Sequence, residues 1–246
     1  MSVALGSDTA RRSLRDAVAV VTGSGRGLGA EVARELAGAG ASVIVTDAVE
    51  GSARLVADEL GADAMHLDVA DPRSVTQAVD TIRDRHGCID VVVNNAGIDQ
   101  TAPFEELSAE TWGRILDVNL RGPALVTRAV WPLMRAAGGG DVVNIVSTAA
   151  KRAWSDASAY HASKWGLLGL SHALHVEGRS CGIRVSAIVA GGMRTPFLLE
   201  RFPDLDVDVL QDPAAVARVI RFVLELPEGT VMPETLVLPT QETSWP

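Results

Sequence analysis

Short Val- and Ile-rich runs recur along this 246-residue chain, and helical patterns separate them. AVAVVTG (17–23), SVIVTD (42–47), ADAMHLDV (62–69), IDVVVNNAG (89–97), GDVVNIVS (140–147), IRVSAIVAGG (183–192) and ETLVLP (234–239) read as strands. Residues 28–39, 51–60, 108–136, 157–179 and 212–225 carry helical periodicity, and Asp71-Pro72 opens a further helix with an N-cap and a proline at its first position. The strand runs lack the strict apolar–polar alternation of a half-solvated sheet, so both of their faces must be covered. Such strands, joined by helices, predict a parallel sheet of about seven strands with helices on both faces, in a single doubly wound, Rossmann-type α/β domain. Residues 1–14 read as a frayed tail, 15–246 as the domain, and the irregular stretch 191–211 as a segment covering a ligand cleft.

Composition narrows the function classes. Hydrophobic residues make up 47% of the chain and the mean hydropathy is +0.18, enough for a sizeable core. No stretch reaches the roughly 18–20 uncharged apolar residues of a membrane span. The first sixteen residues hold no apolar core long enough for a signal peptide. A net charge of −9 without a basic cluster argues against a nucleic-acid partner. Cys88 and Cys181 make neither a disulfide framework nor a CxxC pair. The expectation is a cytoplasmic protein.

Two constellations carry chemistry. Thr22-Gly23-Ser24-Gly25-Arg26-Gly27-Leu28-Gly29 joins the first strand to the first helix. Glycines there let the backbone approach a pyrophosphate, and the helix N-terminus offers unpaired N–H groups. Asp47 ends the second strand, where an acid meets the adenosine ribose in such folds. Its charge would repel a 2′-phosphate, which favours NAD(H); Arg26 could pair with that phosphate, which keeps NADP(H) open. The second constellation is Tyr160, the chain's single tyrosine, four residues before Lys164 and thirteen after Ser147. One helical turn puts Tyr160 and Lys164 on the same face. A neighbouring ammonium favours the phenolate, so the phenol is expected to titrate below its ordinary value of about 10.

With Thr22-Gly23-x-x-x-Gly27-x-Gly29, Asn94-Asn95-Ala96-Gly97, Asn119, Ser147 and Tyr160-x-x-x-Lys164 in order, the chain resembles the classical short-chain dehydrogenase/reductase family over about residues 15–240. The resemblance implies a catalytic tetrad. Tyr160 would be the acid/base and Ser147 a hydrogen-bond donor to the substrate oxygen. Lys164 would lower the tyrosine's pKa and hold the nicotinamide ribose. Asn119 would hold a water in a proton relay. It further implies cofactor contacts from Gly23, Ser24, Arg26, Gly27, Leu28 and Gly29, from Asp47, from Asp68 and Val69 at the adenine, from Asn95, Ala96 and Gly97, and from Thr195 at the carboxamide. Members usually pair through their long helices, so a homodimer or homotetramer is implied.

The implied activity is hydride transfer between a nicotinamide cofactor and a secondary alcohol or ketone. A non-catalytic dinucleotide-binding protein on the same fold is the alternative of a different class. Two departures stand out. Ala190-Gly191-Gly192 replaces the family's Pro-Gly, which predicts a looser turn and a less firmly placed Thr195. The C-terminus LVLPTQETSWP also departs from the family's ending. Residues 98–104, 148–156 and 191–202 should line the substrate pocket, and Phe197, Leu198, Leu199 and Phe202 make the last segment an apolar lid that suggests an apolar substrate. Trp154 reads equally as pocket wall or packing, and Lys151 and Arg152 as a solvated loop. The five histidines form no metal pattern.

Overall fold

The computed structural model describes residues 12–242. Seven strands, β1 (Val18–Thr22), β2 (Ser42–Asp47), β3 (Asp63–His66), β4 (Val91–Asn94), β5 (Gly140–Ile145), β6 (Ile183–Ala190) and β7 (Glu234–Val237), form one parallel sheet. Its order is β3-β2-β1-β4-β5-β6-β7. The chain builds outward from β1 to β3, then crosses back to β4 and builds the other way. Beyond the C-terminal ends of β1 and β4 this reversal opens the crevice where ligands bind in doubly wound sheets.

Both faces of the sheet are buried, as the unbroken apolar runs require. Along β1, Ala19 and Val21 join a core with Val32, Leu36 and Ile220, while Val18 and Val20 join one with Ile82, Val126 and Met134. Helices α1 (Gly27–Gly38) and α8 (Pro213–Leu224) supply the first, and α3 (Pro72–His86) and α5 (Gly122–Ala136) the second. Helix α6 (Ser158–Gly178) adds Leu167 and Leu168 against Val146, Ala187 and Val189. The start of α3 is as expected: Asp71 accepts the Arg73 N–H at 2.9 Å and Pro72 takes the first position. Helix α2 (Glu50–Leu60) ends on Gly61 in the left-handed region, φ 62°.

The structure refines several boundaries. The expected strand 89–97 stops at Asn94, because the Asn95 N–H leaves the ladder for Thr22 Oγ1 at 3.0 Å. The long helix expected over 108–136 is α4 (Ala109–Leu116) and α5 joined by a π-helical turn, Asp117–Arg121. That extra residue per turn turns Asn119 inward, where it is fully buried. Most of the expected N-terminal tail lies outside the described residues. Its described end is fixed to the domain: Leu14 is buried, and Arg12 pairs with Asp141. Among the described residues no helix is long and apolar enough to cross a membrane.

Candidate active site

A cleft of about 940 Å³ lies over the switch point. Every residue singled out above as catalytic or cofactor-binding lines it except Ser24, Gly29 and Asn119. Its floor is the loop between β1 and α1. Gly23 has φ +62°, and a Cβ there would lie 2.8 Å from the Ala96 Cα. A Cβ on Gly25 would lie 2.9 Å from Asp47 Oδ2. Side chains would therefore fill the cradle that the glycines keep open. Asp47 stands at its edge, where Oδ2 accepts the Gly25 N–H at 3.1 Å and Oδ1 the Val49 N–H at 2.9 Å. Each oxygen keeps acceptor capacity for a sugar hydroxyl. The volume, the open glycine backbone at a helix N-terminus and the acid beside it fit a nicotinamide dinucleotide.

Ser24 and Gly29 serve the loop from below. The Ser24 hydroxyl donates to the Val21 carbonyl at 2.7 Å and accepts the Thr46 N–H at 3.0 Å, tying β1 to β2, so it is not available to a phosphate. Gly29 lets α1 press against the Gly23 carbonyl. Asn95 secures the same loop, donating from Nδ2 to the Thr22 and Gly23 carbonyls, each at 2.9 Å. Asp68 pairs with Arg114 at 3.2 Å, and Gly122 gives Val69 the room to sit on the wall. Arg26 reaches across the cleft to Glu200 at 2.7 Å.

Ser147, Tyr160 and Lys164 meet at the far end. Ser147 follows β5, Tyr160 and Lys164 share a face of α6, and the Lys164 Nζ stands 5.6 Å from the Tyr160 ring centroid. Lys164 donates to the Ile145 carbonyl at 2.8 Å. Ser147 hydrogen-bonds Tyr160. The expected fall in the tyrosine's pKa is not what this environment gives. Burial pushes Tyr160 up to about 12, and the Ser147 hydrogen bond only partly offsets it. Burial also brings Lys164 down to about 8. The same desolvation that opposes the phenolate thus weakens the cation expected to support it.

Asn119 is committed within the protein. Its Oδ1 accepts the Ile98 N–H at 2.8 Å, and its Nδ2 donates to the Ile98 carbonyl at 2.8 Å and to Ser163 Oγ at 3.1 Å. Both amide hydrogens are spent, so only acceptor groups of this residue could hold a water.

The segment over the cleft corrects a second expectation. The turn at 190–192 is pinned rather than loose. The Gly191 N–H donates to the Val237 carbonyl at 2.9 Å and the Gly192 N–H to Glu242 Oε2 at 3.1 Å. The atypical C-terminus thus braces the turn that lacks the family proline. Thr195 is buried behind it, next to Gly27, and makes no side-chain cap to helix α7 (Pro196–Leu199). Phe197, Leu198 and Phe202 line the cleft, and Leu199 does not. Trp154 does both things weighed for it: it lines the cleft and packs edge-on against His161 at 4.3 Å. Lys151 stays partly solvated and pairs with Glu234 at 2.7 Å, away from the cleft. No metal-binding group of three or more His, Cys, Asp or Glu occurs among the described residues.

Sequence reasoning missed Asp99 and Arg201, an ion pair that joins the loop after β4 to the lid. Arg201 also stacks over the Phe197 ring at 4.2 Å. Its partner lies 102 residues away, and nothing in either segment marks the pair.

Comparison with known proteins agrees with this geometry. A family model described as short chain dehydrogenase matches residues 17–206. A D-threitol dehydrogenase from Mycolicibacterium smegmatis is 41% identical over 176 residues, covering 70% of this chain and 68% of that protein. An actinorhodin polyketide ketoreductase solved with NADPH superposes with a TM-score of 0.86 at 30% identity, over 92% of this chain and 97% of that one. A 3-ketoacyl-(acyl-carrier-protein) reductase from Brucella melitensis complexed with NADH gives 0.86 at 28% identity, over 93% and 99%.

Proposed function

The chain belongs to the short-chain dehydrogenase family, and on that premise we propose that it is an NAD(H)-linked oxidoreductase that interconverts a secondary alcohol and a ketone. The observation that carries this reading is the convergence of Ser147, Tyr160 and Lys164 on one end of a cleft whose other end is a glycine cradle beside Asp47. The glycine loop and Asp47 would hold the nicotinamide cofactor, which would supply the hydride acceptor for oxidation or the hydride donor for reduction.

Tyr160 manages the accompanying proton. In oxidation its phenolic oxygen receives the hydroxyl proton as the carbon–oxygen double bond forms, and in reduction it gives that proton back. A phenol held protonated by burial is ready as the acid of the reducing direction. In the oxidising direction the phenolate relies on the Ser147 hydrogen bond and the Lys164 ammonium. Ser147 also faces the cleft, where its hydroxyl can steady charge developing on the substrate oxygen. Lys164, with its pKa brought down to about 8, can pass a proton on near neutral pH.

Asp47 favours NAD(H), since its carboxylate is held at the cradle by two backbone N–H groups and would repel a 2′-phosphate. Arg26, the residue that could favour NADP(H), is engaged by Glu200. The solved relatives named above hold both cofactors, so the preference rests on these residues. Assembly into a homodimer or homotetramer belongs to the same reading: α6 presents Trp165 and Val176, each more than half exposed.

Thermal unfolding with NADH and with NADPH, each titrated over the same range, tests the cofactor assignment. A ligand at about 100 times its dissociation constant stabilises a fold by about 2.7 kcal/mol. A shift with NADH at lower concentration than with NADPH is expected. The reverse order would assign the cofactor to NADP(H), and no shift with either would contradict the enzyme reading.

A further inference from the structure

Asp99 is a carboxylate in the cleft wall that the proposed reaction does not use. Its side chain is only 4% exposed, and it follows Ile98, whose backbone is clamped by Asn119. Gly97, two residues before it, places a would-be Cβ 3.9 Å from Lys164 Nζ. On the lid side, Oδ2 is held by Arg201, whose guanidinium stacks on Phe197, and Phe197 stands 5.9 Å from the Tyr160 ring. The carboxylate therefore sits within a few residues' breadth of the reacting end, and its charge is felt at both Tyr160 and Lys164.

Its second oxygen is unsatisfied. Oδ1 is buried with no hydrogen-bond partner. The Gln100 backbone N–H and Arg201 favour the charged form, yet burial outweighs them and raises the carboxyl above its usual range. A buried acceptor left without a donor is costly, and more so when it is charged. Such a group in a cleft wall is a place where a ligand's donor is missing.

The chemistry of that donor is constrained. An ionised carboxylate accepts and does not donate, so the partner carries an O–H or N–H. Arg201 beside it repels a cationic amine and neutralises the local charge, which leaves a neutral donor, and a hydroxyl is the one an alcohol substrate carries. Phe197 and Phe202 line the cleft around the pair, so the rest of the ligand is not strongly charged. We propose, building on the oxidoreductase reading, that Asp99 Oδ1 accepts a hydrogen bond from a second hydroxyl of the substrate, making this enzyme selective for diols and the matching hydroxyketones over simple secondary alcohols. Asp99 is a specificity residue in this account, and Arg201 positions it while closing the lid over the bound hydroxyl.

The test compares a vicinal cyclohexanediol with cyclohexanol as oxidation substrates under NAD+. The wild-type protein, Asp99→Asn and the double variant Asp99→Leu/Arg201→Met are each assayed for the ratio of the two kcat/KM values. Using the ratio removes any effect of Asp99 on Tyr160 itself. The wild type should favour the diol by about 10–100-fold, as expected for a hydrogen bond to a charged group. The ratio should fall in Asp99→Asn and approach one in the double variant, where apolar residues replace both charges and leave neither unpaired. Binding of the matching hydroxyketone to the wild-type protein with NADH, read by thermal shift, should exceed that of cyclohexanone in the same order. Equal kcat/KM values in the wild type, or a ratio unchanged in the double variant, would overturn the proposal while leaving the oxidoreductase reading intact. Absence of oxidation of both alcohols together with no ketone-dependent shift would remove both.

Discussion

Lys164 is a buried amine whose position the helix fixes and whose charge the interior opposes. It is 4% exposed, with the Ile145 carbonyl as its hydrogen-bond acceptor. Its pKa falls from 10.5 to about 8, so between those values the unfolded chain binds the proton that the folded one has lost. Stability must then rise with pH across that window, and the cost of burying the ammonium is fully present below pH 8. Tyr160, raised from 10.0 to about 12, has the opposite sign above pH 10. The clean range is therefore pH 8 to 10. Chemical denaturation of the wild type and of Lys164→Met should show the wild type gaining about 2 kcal/mol on the variant over that range. A constant difference would mean that Lys164 keeps its ordinary pKa in the fold. The i, i+4 spacing announced that Tyr160 and Lys164 share a face, and they do. It could not announce that desolvation outweighs their attraction, because burial depends on the β5 and lid residues brought over them. Asp99 was equally illegible, since its meaning comes from Arg201 on a distant segment.

At the scale of elements, the chain's apolar runs predicted all seven strands in order and most of the helices, but not α7, which lies in the stretch read as irregular. What they could not give was where elements stop and bend. β4 ends early because Asn95 turns to Thr22, and the helix over 108–136 carries a π-helical turn that no periodicity signals. One arginine shows how such ends are secured. Arg184 on β6 donates to Asp141 at the start of β5 at 2.7 Å, and to the carbonyls of Leu224, Leu226 and Thr230 at 2.9–3.0 Å beyond and at the end of α8. These carbonyls have no partner within the helix. Arg184→Met strips Asp141, itself nearly buried, of one of its two guanidinium partners and leaves the part-buried Leu224 and Leu226 carbonyls without their donor. A loss of about 1–3 kcal/mol is expected, read as a lower urea midpoint with an unchanged slope. Arg184→Lys should recover only part of it, because a single ammonium cannot reproduce the guanidinium's fork. Full recovery by lysine would contradict this account of the end cap.

The whole molecule places its chemistry where the sheet reverses. β1 and β4 diverge in connection, the glycine loop and Asn95-Ala96-Gly97 line the gap, and β5 and α6 deliver Ser147, Tyr160 and Lys164 to its far end. Adjacent residues of the lid, Glu200 and Arg201, reach opposite walls, one to Arg26 on the cofactor loop and one to Asp99. The exposed Arg26–Glu200 pair contributes at most about 1 kcal/mol, so it can yield when the lid opens. The atypical C-terminus joins this frame through Glu242 at the Gly192 N–H. The sequence made its own departure from the family visible but not that the second departure compensates the first.

The proposed reaction turns on proton transfer at the Tyr160 oxygen. The decisive measurement is NAD+-dependent oxidation of secondary alcohols, a vicinal diol among them, by the wild type and by Tyr160→Phe, with NADH affinity measured on both. The phenylalanine ring preserves the packing against Phe197 and removes only the phenolic oxygen. Turnover should fall by at least the roughly 10²–10⁴-fold that a positioned acid/base supplies, with NADH affinity nearly unchanged. Undiminished turnover in Tyr160→Phe would contradict the account at its centre.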